Sequence, residues 1–508
     1  MKRGTRRARC QTSLCLLIVA VAAQASPIRA QTGERFDIVL SGGRVLDPQT
    51  GLDAVRDVGI RGDRIDAISD GPLTGAVVID VSGLVVAPGF IDLHAHGQSN
   101  EANVYQARDG VTTALELEGG VGEMGSFVSQ RRGDAILNFG ASVSHSFNRV
   151  WAMPERATET ARLDEMLSSG SESAAEVAEL RRTMGRTGYD SIDRRAIGGL
   201  RDRFERGLRA GGLGLGVPHQ YYPGADYNEI FRVFQMAAEW DVPIYTHVRS
   251  MDIGAFQEVI ANAAVTGAPL HIVHVNSSSL GDIATVLDII GAAQARGMDV
   301  TTEAYPYTAG SANINSALFD EGWQELLGIS YGDLQWQATG ERLTEESFNR
   351  YRAEGGIVID HLMKPEWIEL AVRTPFVMLA SDGLPYAPGA HPRSAGTFSR
   401  FLGYYVRDLK LMPLIQAVGK VSLMPALRLE KVAPMMSRKG RLQVGADADI
   451  TVFAPGHIID TANFEDDLSF SEGVEHVLVN GTFVVRDGET VEGARPGRPV
   501  LGKMYAGG

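Results

Sequence analysis

The stretch Gly89-Phe-Ile-Asp-Leu-His94-Ala-His96-Gly97 decides the fold. It follows the apolar run Leu84-Val-Val-Ala-Pro-Gly89, whose Pro-Gly turn signal predicts that a strand reaches a sheet edge here. Because side chains alternate faces along a strand, His94 and His96 point the same way and could hold one metal ion. A lone His-x-His is weak evidence, so its meaning depends on whether the rest of the chain supplies further ligands.

The composition is that of a large acidic globular protein. The 508 residues are 44% hydrophobic, enough for a barrel-sized core and a smaller domain. The formal charge is −14, and residues 1–30 hold six basic residues and no acidic one, which leaves the remainder near −20. An acidic body disfavours nucleic acids and anionic membrane surfaces as partners.

Residues 1–30 are typical of an export signal peptide. A basic start precedes the apolar run Leu14–Ala23, too short to span a bilayer, and small residues at Ala25 and Ala30 suit cleavage. We expect a periplasmic or secreted protein with no membrane attachment after cleavage. A membrane anchor is the less favoured alternative, because no other apolar run approaches spanning length. Arg6-Arg7 suggests twin-arginine export, but the usual apolar residues do not follow, so the Sec and Tat routes stay open.

Cysteine and lysine usage excludes several kinds of site. Cys10 and Cys15 both lie in the predicted signal, so the mature chain offers neither disulfides nor thiolate ligands. No lysine occurs between Lys2 and Lys364, so this region cannot provide Schiff-base or carbamate chemistry.

The sequence at both ends of the chain predicts short strands separated by turns. The two segments, residues 31–87 and 431–508, most simply pair into one small composite β-sandwich domain. The C-terminal hairpin is expected to turn at Asn480-Gly481, a type I′ sequence. The predicted strands are Phe36–Leu40 and Arg44–Leu46 around Ser41-Gly42-Gly43, Asp57–Ile60 and Arg64–Ile68 around Arg61-Gly62-Asp63, Gly440–Phe453, and His476–Val485.

Residues 88–430 alternate apolar strand patterns with amphipathic helix patterns. Eight strands with helices between them predict an α/β fold, a (β/α)8 TIM-like barrel, with catalytic residues at the C-terminal strand ends. The predicted strands are Ile91–His96, Thr112–Glu118, Ala141–His145, Leu213–Val217, Pro243–His247, Pro269–Val275, Asp299–Tyr305 and Phe376–Ser381.

Histidines or carboxylates occur at the predicted ends of most of these strands. Barrel interiors are usually filled by Val, Ile and Leu, so this accumulation indicates a site. In strand order, the residues are His94, His96, Glu116, Glu118, His145, His247, His271, His274, Glu303 and Asp382.

The His-x-His pair, His247, His274 and Asp382, with a split β domain, resemble the amidohydrolase superfamily. More narrowly, the chain resembles the N-acyl-D-amino-acid deacylases, or D-aminoacylases, including the D-glutamate deacylase branch. The resemblance runs from about Phe36 to Arg498. Its motifs are Val143-Ser-His145-Ser-Phe-Asn-Arg149, Gly214-Leu-Gly216, Tyr221-Tyr-Pro-Gly224, Tyr245-Thr-His247-Val-Arg249, Glu303-Ala-Tyr305-Pro-Tyr307, His391-Pro-Arg393-Ser-Ala-Gly-Thr-Phe398, Leu423-Met-Pro-Ala426 and Gly445-Ala-Asp-Ala-Asp-Ile450.

This resemblance implies a zinc-dependent hydrolase acting on the amide bond of N-acyl-D-amino acids, N-acyl-D-glutamate among them. His247 and His274 would hold the tighter metal, and the His-x-His pair a second or weaker site, with one or two Zn²⁺ ions in all. Metal-activated water would be the nucleophile, and Asp382 would carry its proton to the leaving amine. The metal and His145 would stabilise the oxyanion of the tetrahedral intermediate.

The chain departs from the family at the end of strand two. Many of these deacylases carry a cysteine thiolate there, and other superfamily members bridge two metals with a carboxylated lysine; neither is available here. A carboxylate is then the only charged bridge left. Glu118 is the candidate, with Glu116 as its alternate on the same strand face, and Asp382 completes the expected metal ligands.

A second departure concerns the substrate. The family often has a lysine two positions after the strand-six ligand, whereas Asn276 stands here and cannot pair with a carboxylate by charge. Arg393 remains, and its guanidinium is suited to bidentate capture of a carboxylate. Tyr221, Tyr307 and Arg249 are expected to add substrate contacts.

Two further histidines are left off the metal list. His271 should point away from the face that presents His274. His219 lies in a loop, where a histidine is more often solvated.

Three other functions remain alternatives: a metallodipeptidase, a hydrolase of small linear or cyclic amides, and a non-catalytic scaffold with this fold. The lysine-free stretch argues against hydantoinase-like sites, the His391-Pro-Arg393 segment favours an acyl-amino-acid substrate, and a scaffold should show gaps in its ligand set. The expected partner is a small molecule. The acyl group, the amino-acid side chain, the number of metals and the oligomeric state, a homo-oligomer included, stay open.

Overall fold

The computed structural model describes residues 35–153, 158, 187–466 and 468–507. The predicted export signal, residues 1–30, lies outside these residues. Within them, no helix combines the length and the apolar character needed to cross a bilayer.

Eight parallel strands form the predicted barrel and neighbour one another in sequence order. Almost all of their residues are buried, as expected of a parallel sheet covered by helices. Each overlaps its predicted strand, so the prediction of the barrel is confirmed. Barrel strands one to eight are Phe90–Asp92, Val111–Val121, Asn138–Ser144, Leu215–Pro218, Ile244–His247, Leu270–Ile272, Val300–Ala304 and Val377–Leu379.

The barrel closes where its last strand meets its first. Asp92 Oδ1 accepts a hydrogen bond from the Ser381 backbone N–H at 3.0 Å, and the Ser381 hydroxyl donates to Asp92 Oδ2. Just beyond, the His96 N–H donates to the Gly383 carbonyl at 2.8 Å. These bonds bring the chain after strand eight beside the His-x-His pair.

Helices follow most of the barrel strands. Several begin where an aspartate side chain accepts a backbone N–H of the first turn, as Asp193, Asp226 and Asp252 do. The described helices are Asn100–Arg108, Met124–Arg131, His145–Trp151, Arg194–Arg209, Tyr227–Trp240, Ile253–Thr266, Val275–Ser279, Ile283–Ala295, Trp323–Leu327, Glu345–Glu354, Pro365–Arg373, Arg393–Arg400, a π-helix at Phe401–Asp408, Leu414–Val421 and Leu423–Glu430.

The two ends of the chain build one nine-stranded mixed sheet, which confirms the composite domain. The segments join where Val85–Pro88 pairs antiparallel with Ile450–Phe453. The predicted hairpin turns at Asn480-Gly481, where both residues have positive φ. The strands are Phe36–Asp47, Leu52–Arg61, Arg64–Ser69, Gly75–Asp80, Val85–Pro88, Ile450–Phe453, Val474–Val479, Thr482–Arg486 and Glu489–Thr490.

Two strand predictions at the chain ends were wrong. Ser41-Gly42-Gly43 does not separate two strands; it forms a bulge within the single strand Phe36–Asp47. Asp57 stabilises the bulge by accepting hydrogen bonds from the Ser41 hydroxyl and the Gly42 N–H at 3.0 and 2.8 Å. Of the predicted strand Gly440–Phe453, only Ile450–Phe453 pairs as a strand.

An unpredicted segment is inserted between barrel strands seven and eight. It contains the antiparallel strands Gly310–Asn313, Leu334–Trp336 and Ile357–Asp360 and has its own apolar core. In that core, the Trp336 and Tyr351 rings stack with centroids 4.0 Å apart.

The end of the chain returns to the barrel. The Phe139 N–H donates to the Arg498 carbonyl at 3.1 Å, and the Val500 N–H donates to the Phe139 carbonyl at 2.7 Å. Residues near 500, which come after the last strand of the small sheet in the sequence, therefore pair with barrel strand three.

Candidate metal centre

The six predicted metal ligands converge at the carboxyl ends of the barrel strands. The Nε2 atoms of His94 and His96 each lie 3.4 Å from Glu118 Oε2. The same two nitrogens lie 3.4 and 3.3 Å from Asp382 Oδ1. The cluster is buried, and only His96 keeps appreciable exposure, with 21% of its side chain accessible.

Glu118 spans two pairs of histidines. Its Oε2 faces His94 and His96, whereas its Oε1 lies 3.0 Å from His247 Nδ1 and 3.4 Å from His274 Nε2. This is the position predicted for a bridging carboxylate.

The path of barrel strand two places Glu118 there. Its pairing with strand three shifts register between Glu116 and Val121, so the intervening residues bulge. Gly120 has φ +65°, and a Cβ on Gly216 of strand four would come within 2.4 Å of the Glu118 carbonyl oxygen. The bulge therefore depends on glycine at both positions.

Carboxylates support the first pair of imidazoles. His94 Nδ1 lies 2.7 Å from Glu303 Oε1, and His96 Nδ1 lies 2.7 Å from Glu116 Oε2. Burial alone would raise the pKa of Glu303, but its hydrogen bonds to His271 and His94 lower it to about 2. A proton on each Nδ1 then leaves Nε2 free to act as a ligand.

Neutral groups support the second pair. His247 Nε2 contacts Gln220 Oε1 at 2.5 Å, and His274 Nδ1 contacts the Ser278 hydroxyl at 2.9 Å. These contacts leave His247 Nδ1 and His274 Nε2 facing Glu118.

Two residues of the cluster adopt a left-handed backbone conformation. His274 has φ +30° and Asp382 has φ +51°, values that cost free energy for residues other than glycine. Such strain is concentrated at functional sites, where it directs a side chain that regular structure would not present.

Arg393 is a buried cation beside the cluster. Its Nη1 lies 3.0 Å from Asp382 Oδ2, without the alignment of a hydrogen bond, and its guanidinium lies over the Tyr305 ring, 4.6 Å from the centroid. None of its three side-chain nitrogens has a hydrogen-bond partner among the described residues. His391 Nδ1 accepts from the Arg393 backbone N–H at 3.0 Å and so orients the start of this helix. Unused donors on a buried guanidinium favour an anionic ligand.

A cavity of about 350 Å³ opens onto the cluster. His96, Glu118, His274 and Asp382 line it on the barrel side, and the inserted segment contributes small polar residues between positions 311 and 316. Tyr221 also lines it, with its ring 5.0 Å from that of His247. Its contact with the substrate stays a prediction. The volume suits a small organic ligand.

The structure contradicts two predicted substrate contacts. The Arg249 guanidinium is occupied by Glu258, at 2.9 Å from both Nε and Nη2, and by the Ala225 carbonyl at 2.8 Å. The Tyr307 hydroxyl donates to Asp460 at 3.1 Å. Neither Arg249 nor Tyr307 lines the cavity, and each ties its own loop to a neighbouring element. Arg393 lies behind the cavity wall as well, but it differs from them because its side-chain nitrogens have no hydrogen-bond partner among the described residues and it lies beside Asp382, which does line the cavity.

His145 is not brought into the cluster. Its Nε2 lies 2.8 Å from Glu229 Oε1, which also accepts a hydrogen bond from Arg149 Nε at 2.7 Å. This buried contact joins two helices, and His145 itself does not line the cavity although its neighbours Ser146 and Phe147 do. The predicted oxyanion role of His145 therefore has no geometric support.

The two discounted histidines have structural contacts. His271 lies between Glu303 and the Thr301 hydroxyl, at 3.0 and 2.8 Å, so it contacts the carboxylate that supports His94 rather than the cluster itself. The expectation of a solvated His219 was wrong: it is 1% exposed, and its Nε2 lies 3.2 Å from the Ala225 carbonyl oxygen.

The sequence did not predict the residues that contact the ligand imidazoles on the nitrogen facing away from the cluster. Glu303, Gln220 and Ser278 contact ligand imidazoles, and Asp92 closes the barrel beneath them. Burial raises the pKa of Asp92 to about 6. Two signals could have found some of them: Asp92 shares the strand face of His94, and Glu303 opens a strand-end motif.

The donor set fits a divalent cation. It consists of imidazole nitrogens and carboxylate oxygens, which zinc accepts. Among the described residues, two groups of three have ligand atoms within 4.8 Å of one another: His94, His96 and Asp382, and His94, Glu118 and His274. Although burial lowers the pKa of a histidine, Asp382, Glu118 and Glu303 raise the pKa of His94 well above its usual value. The carboxylates around His94 therefore favour positive charge at this end of the cluster.

Known proteins resemble this chain over nearly its whole length. The amidohydrolase family pattern matches residues 209–485. D-aminoacylase of Alcaligenes xylosoxydans xylosoxydans is 29% identical over 93% of this chain and 98% of its own length. N-acyl-D-glutamate deacylase of the same organism is 30% identical over 92% of this chain and 96% of its own length.

Solved structures of the same two kinds of enzyme also resemble this chain. N-acyl-D-glutamate deacylase of Bordetella bronchiseptica, complexed with zinc and a phosphonate inhibitor, superposes with a TM-score of 0.77 at 25% identity, covering 92% of this chain and 100% of that one. A D-aminoacylase structure described by its binuclear metal centre gives 0.76 at 26% identity, covering 92% and 99%. The chain therefore belongs to the amidohydrolase family, in the group that contains the N-acyl-D-amino-acid deacylases.

Proposed function

We propose that this protein hydrolyses N-acyl-D-amino acids with the help of one or two divalent ions, zinc being the expected metal. The observation that carries the proposal is the contact of Arg393 with Asp382 at the edge of the ligand cluster, 3.0 Å apart. In an N-acyl-amino acid, one carbon separates the amide nitrogen from the carboxylate. Arg393, as a cation for the carboxylate, and Asp382, as a proton carrier for the amide nitrogen, are close enough together to match that one-carbon spacing. The names of the relatives support the D configuration.

The six residues of the cluster would hold the metal. A bound divalent ion supplies activated water and polarises the amide carbonyl. Glu118 would contribute one oxygen to each histidine pair, as its contacts with both pairs indicate. The six residues offer only nitrogen and oxygen atoms as ligands, a set that zinc, cobalt and manganese all accept.

Asp382 is the proposed proton carrier. Its Oδ1 faces the His-x-His pair while Oδ2 faces Arg393. It would accept a proton from the attacking water and deliver it to the amide nitrogen as the C–N bond breaks. Both transfers happen at one carboxylate, so the amine leaves in a neutral form.

Arg393 is the proposed anchor of the substrate carboxylate. Its free donors and its burial make a charge-assisted pair with that carboxylate favourable. Tyr221, beside His247 in the cavity wall, would contact the part of the substrate nearest the cluster.

We also propose that residues 1–30 direct export to the periplasm or the medium and are then removed. The basic start and the short apolar run support this reading. The mass of the mature protein recovered from the producing cell should correspond to a chain that begins near residue 26 or 31. Recovery of the intact chain from the cytoplasm would contradict export.

The central experiment is a deacylation screen on zinc-loaded protein with N-acetyl- and N-formyl-amino acids of both configurations. We expect turnover of D substrates, and none by Asp382→Asn with zinc supplied in excess. The matching dipeptides and cyclic amides belong in the same screen, because they test the alternative substrates. No turnover of any D substrate would remove the proposed function.

A further inference from the structure

We propose that the first divalent ion binds at His94, His96 and Asp382, and that the second binds at His247 and His274. This order is the reverse of the one that the family resemblance implies. The inference rests on the proposed metal-dependent function and adds to it which half of the centre is occupied when one ion is present.

The first argument is the difference in support behind the imidazoles. His94 and His96 each have a carboxylate on the nitrogen that does not face the cluster, Glu303 and Glu116, both at 2.7 Å. A carboxylate partner makes an imidazole a more basic and therefore stronger ligand.

The second pair of imidazoles lacks this support. His247 is backed by the Gln220 amide oxygen and His274 by the Ser278 hydroxyl, both neutral. A neutral acceptor orients the ring but donates less electron density to it, so this pair should bind a cation less tightly.

The second argument is the charge of the ligands themselves. Asp382 Oδ1 lies 3.4 and 3.3 Å from the Nε2 atoms of His94 and His96, which gives this half a carboxylate of its own. His247 and His274 share only the bridging carboxylate. Arg393 offsets part of the Asp382 charge, but it contacts Oδ2 rather than the oxygen that faces the histidines.

The third argument is that the bridging carboxylate gives one oxygen to each half. Glu118 Oε2 is 3.4 Å from both nitrogens of one pair, and Oε1 is 3.0 and 3.4 Å from those of the other. A thiolate at this place would have contributed a strong soft ligand. With a carboxylate that gives one oxygen to each half instead, the supporting groups and Asp382 decide the order of binding.

The direct test uses the full mature protein, stripped by a chelator and given one molar equivalent of zinc. Anomalous diffraction at the zinc edge should show the ion at His94, His96 and Asp382, with the second position filling only in excess zinc. A first ion at His247 and His274, or equal occupancy of both positions, would overturn the order while leaving the proposed hydrolase intact. If no zinc binds at all, both the order of binding and the proposed metal-dependent function are refuted.

Matched variants test the cause. Glu116→Gln and Gln220→Leu each remove the support of one imidazole, and competition with a chromogenic chelator measures zinc affinity without any assay of activity. We expect Glu116→Gln to weaken the first binding step by about 10–100-fold and Gln220→Leu to weaken only the second. The opposite assignment would refute the inference.

A third variant adds a carboxylate instead of removing a group. Gln220→Glu should tighten the second step, because His247 would then have the same kind of support as His96. Unchanged affinity at both steps in this variant would show that the supporting charge does not set the order.

Discussion

Arg393 Nη1 and Asp382 Oδ2 lie 3.0 Å apart, while Asp382 Oδ1 faces the histidines of the cluster. One carboxylate thus separates the buried guanidinium from the ligand site. In the proposed reaction, a substrate that binds its own carboxylate to Arg393 would be held with its amide nitrogen next to the group that would protonate it. Binding and proton transfer would then be coupled through a fixed short distance.

That distance should make the enzyme selective for α-amino acids. An N-acetyl-β-amino acid places one more carbon between the amide and the carboxylate, so both ends cannot reach their partners together. We expect its kcat/KM to be lower than that of N-acetyl-D-alanine by about tenfold or more, since positioning carries much of a rate enhancement. Steady-state kinetics with the two substrates measures this, and equal values would contradict the fixed spacing.

Removing the cation should affect charged substrates most. Arg393→Ala should raise KM for N-acyl-D-amino acids about 10–100-fold more than for the corresponding carboxamides, because a hydrogen bond to a charged group contributes about 1.5–3 kcal/mol. Arg249→Ala is the matched control, since that guanidinium is already occupied by Glu258 outside the cavity. Equal losses on both substrates would refute the anchoring role.

Glu118 should be required for metal retention. Glu118→Gln removes the charge between the histidine pairs and should lower the zinc content after dialysis, measured by elemental analysis. Glu118→Cys places an anionic thiolate at the same position, a ligand that zinc accepts, and should recover zinc. Unchanged metal content and rate in Glu118→Gln would exclude the bridge.

Asp360 should make stability depend on pH. It is 2% exposed, its Oδ1 has no partner among the described residues, and burial raises its pKa to about 7, although Arg393 acts in the opposite direction. A carboxyl whose pKa is higher in the folded state favours folding at low pH. This contribution should decline as the pH rises from its ordinary pKa of 3.8 to about 7.

Over this pH range, the free energy of unfolding should fall by on the order of 4 kcal/mol through Asp360, because one pKa unit corresponds to about 1.4 kcal/mol. Thermal unfolding of the metal-free protein across this range should show it, and Asp360→Asn should flatten the profile. A wild-type profile that is already flat would mean that Asp360 is ionised in the folded protein.

Alternation along strands predicted much of the centre. His94 and His96 share a face, and so do Glu116 and Glu118, but strand parity alone could not choose between the two glutamates. The choice depends on a bulge supported by Gly216 from another strand, which only the three-dimensional packing determines. The barrel itself was predictable because each buried strand is a compact apolar run.

Motif residues outside the strands were less predictable. Arg249 and Arg393 are both arginines in characteristic motifs, yet one is occupied by Glu258 and the other has free donors. Long-range contacts make this difference, as they do for the groups that support the imidazoles. The inserted segment was missed because its short strands do not continue the barrel pattern.

The composite sheet has a consequence for how the chain folds during synthesis. Arg64 pairs with Asp447, 383 residues away, and Asn138 at the start of a barrel strand bonds to Asn480, 342 residues away. The N-terminal strands therefore lack their C-terminal partners, and their apolar surface stays exposed, until almost the whole chain has left the ribosome. Contacts this distant slow folding and favour aggregation of incomplete chains. A polypeptide truncated before Ile450 should therefore be an insoluble fragment and not a smaller enzyme.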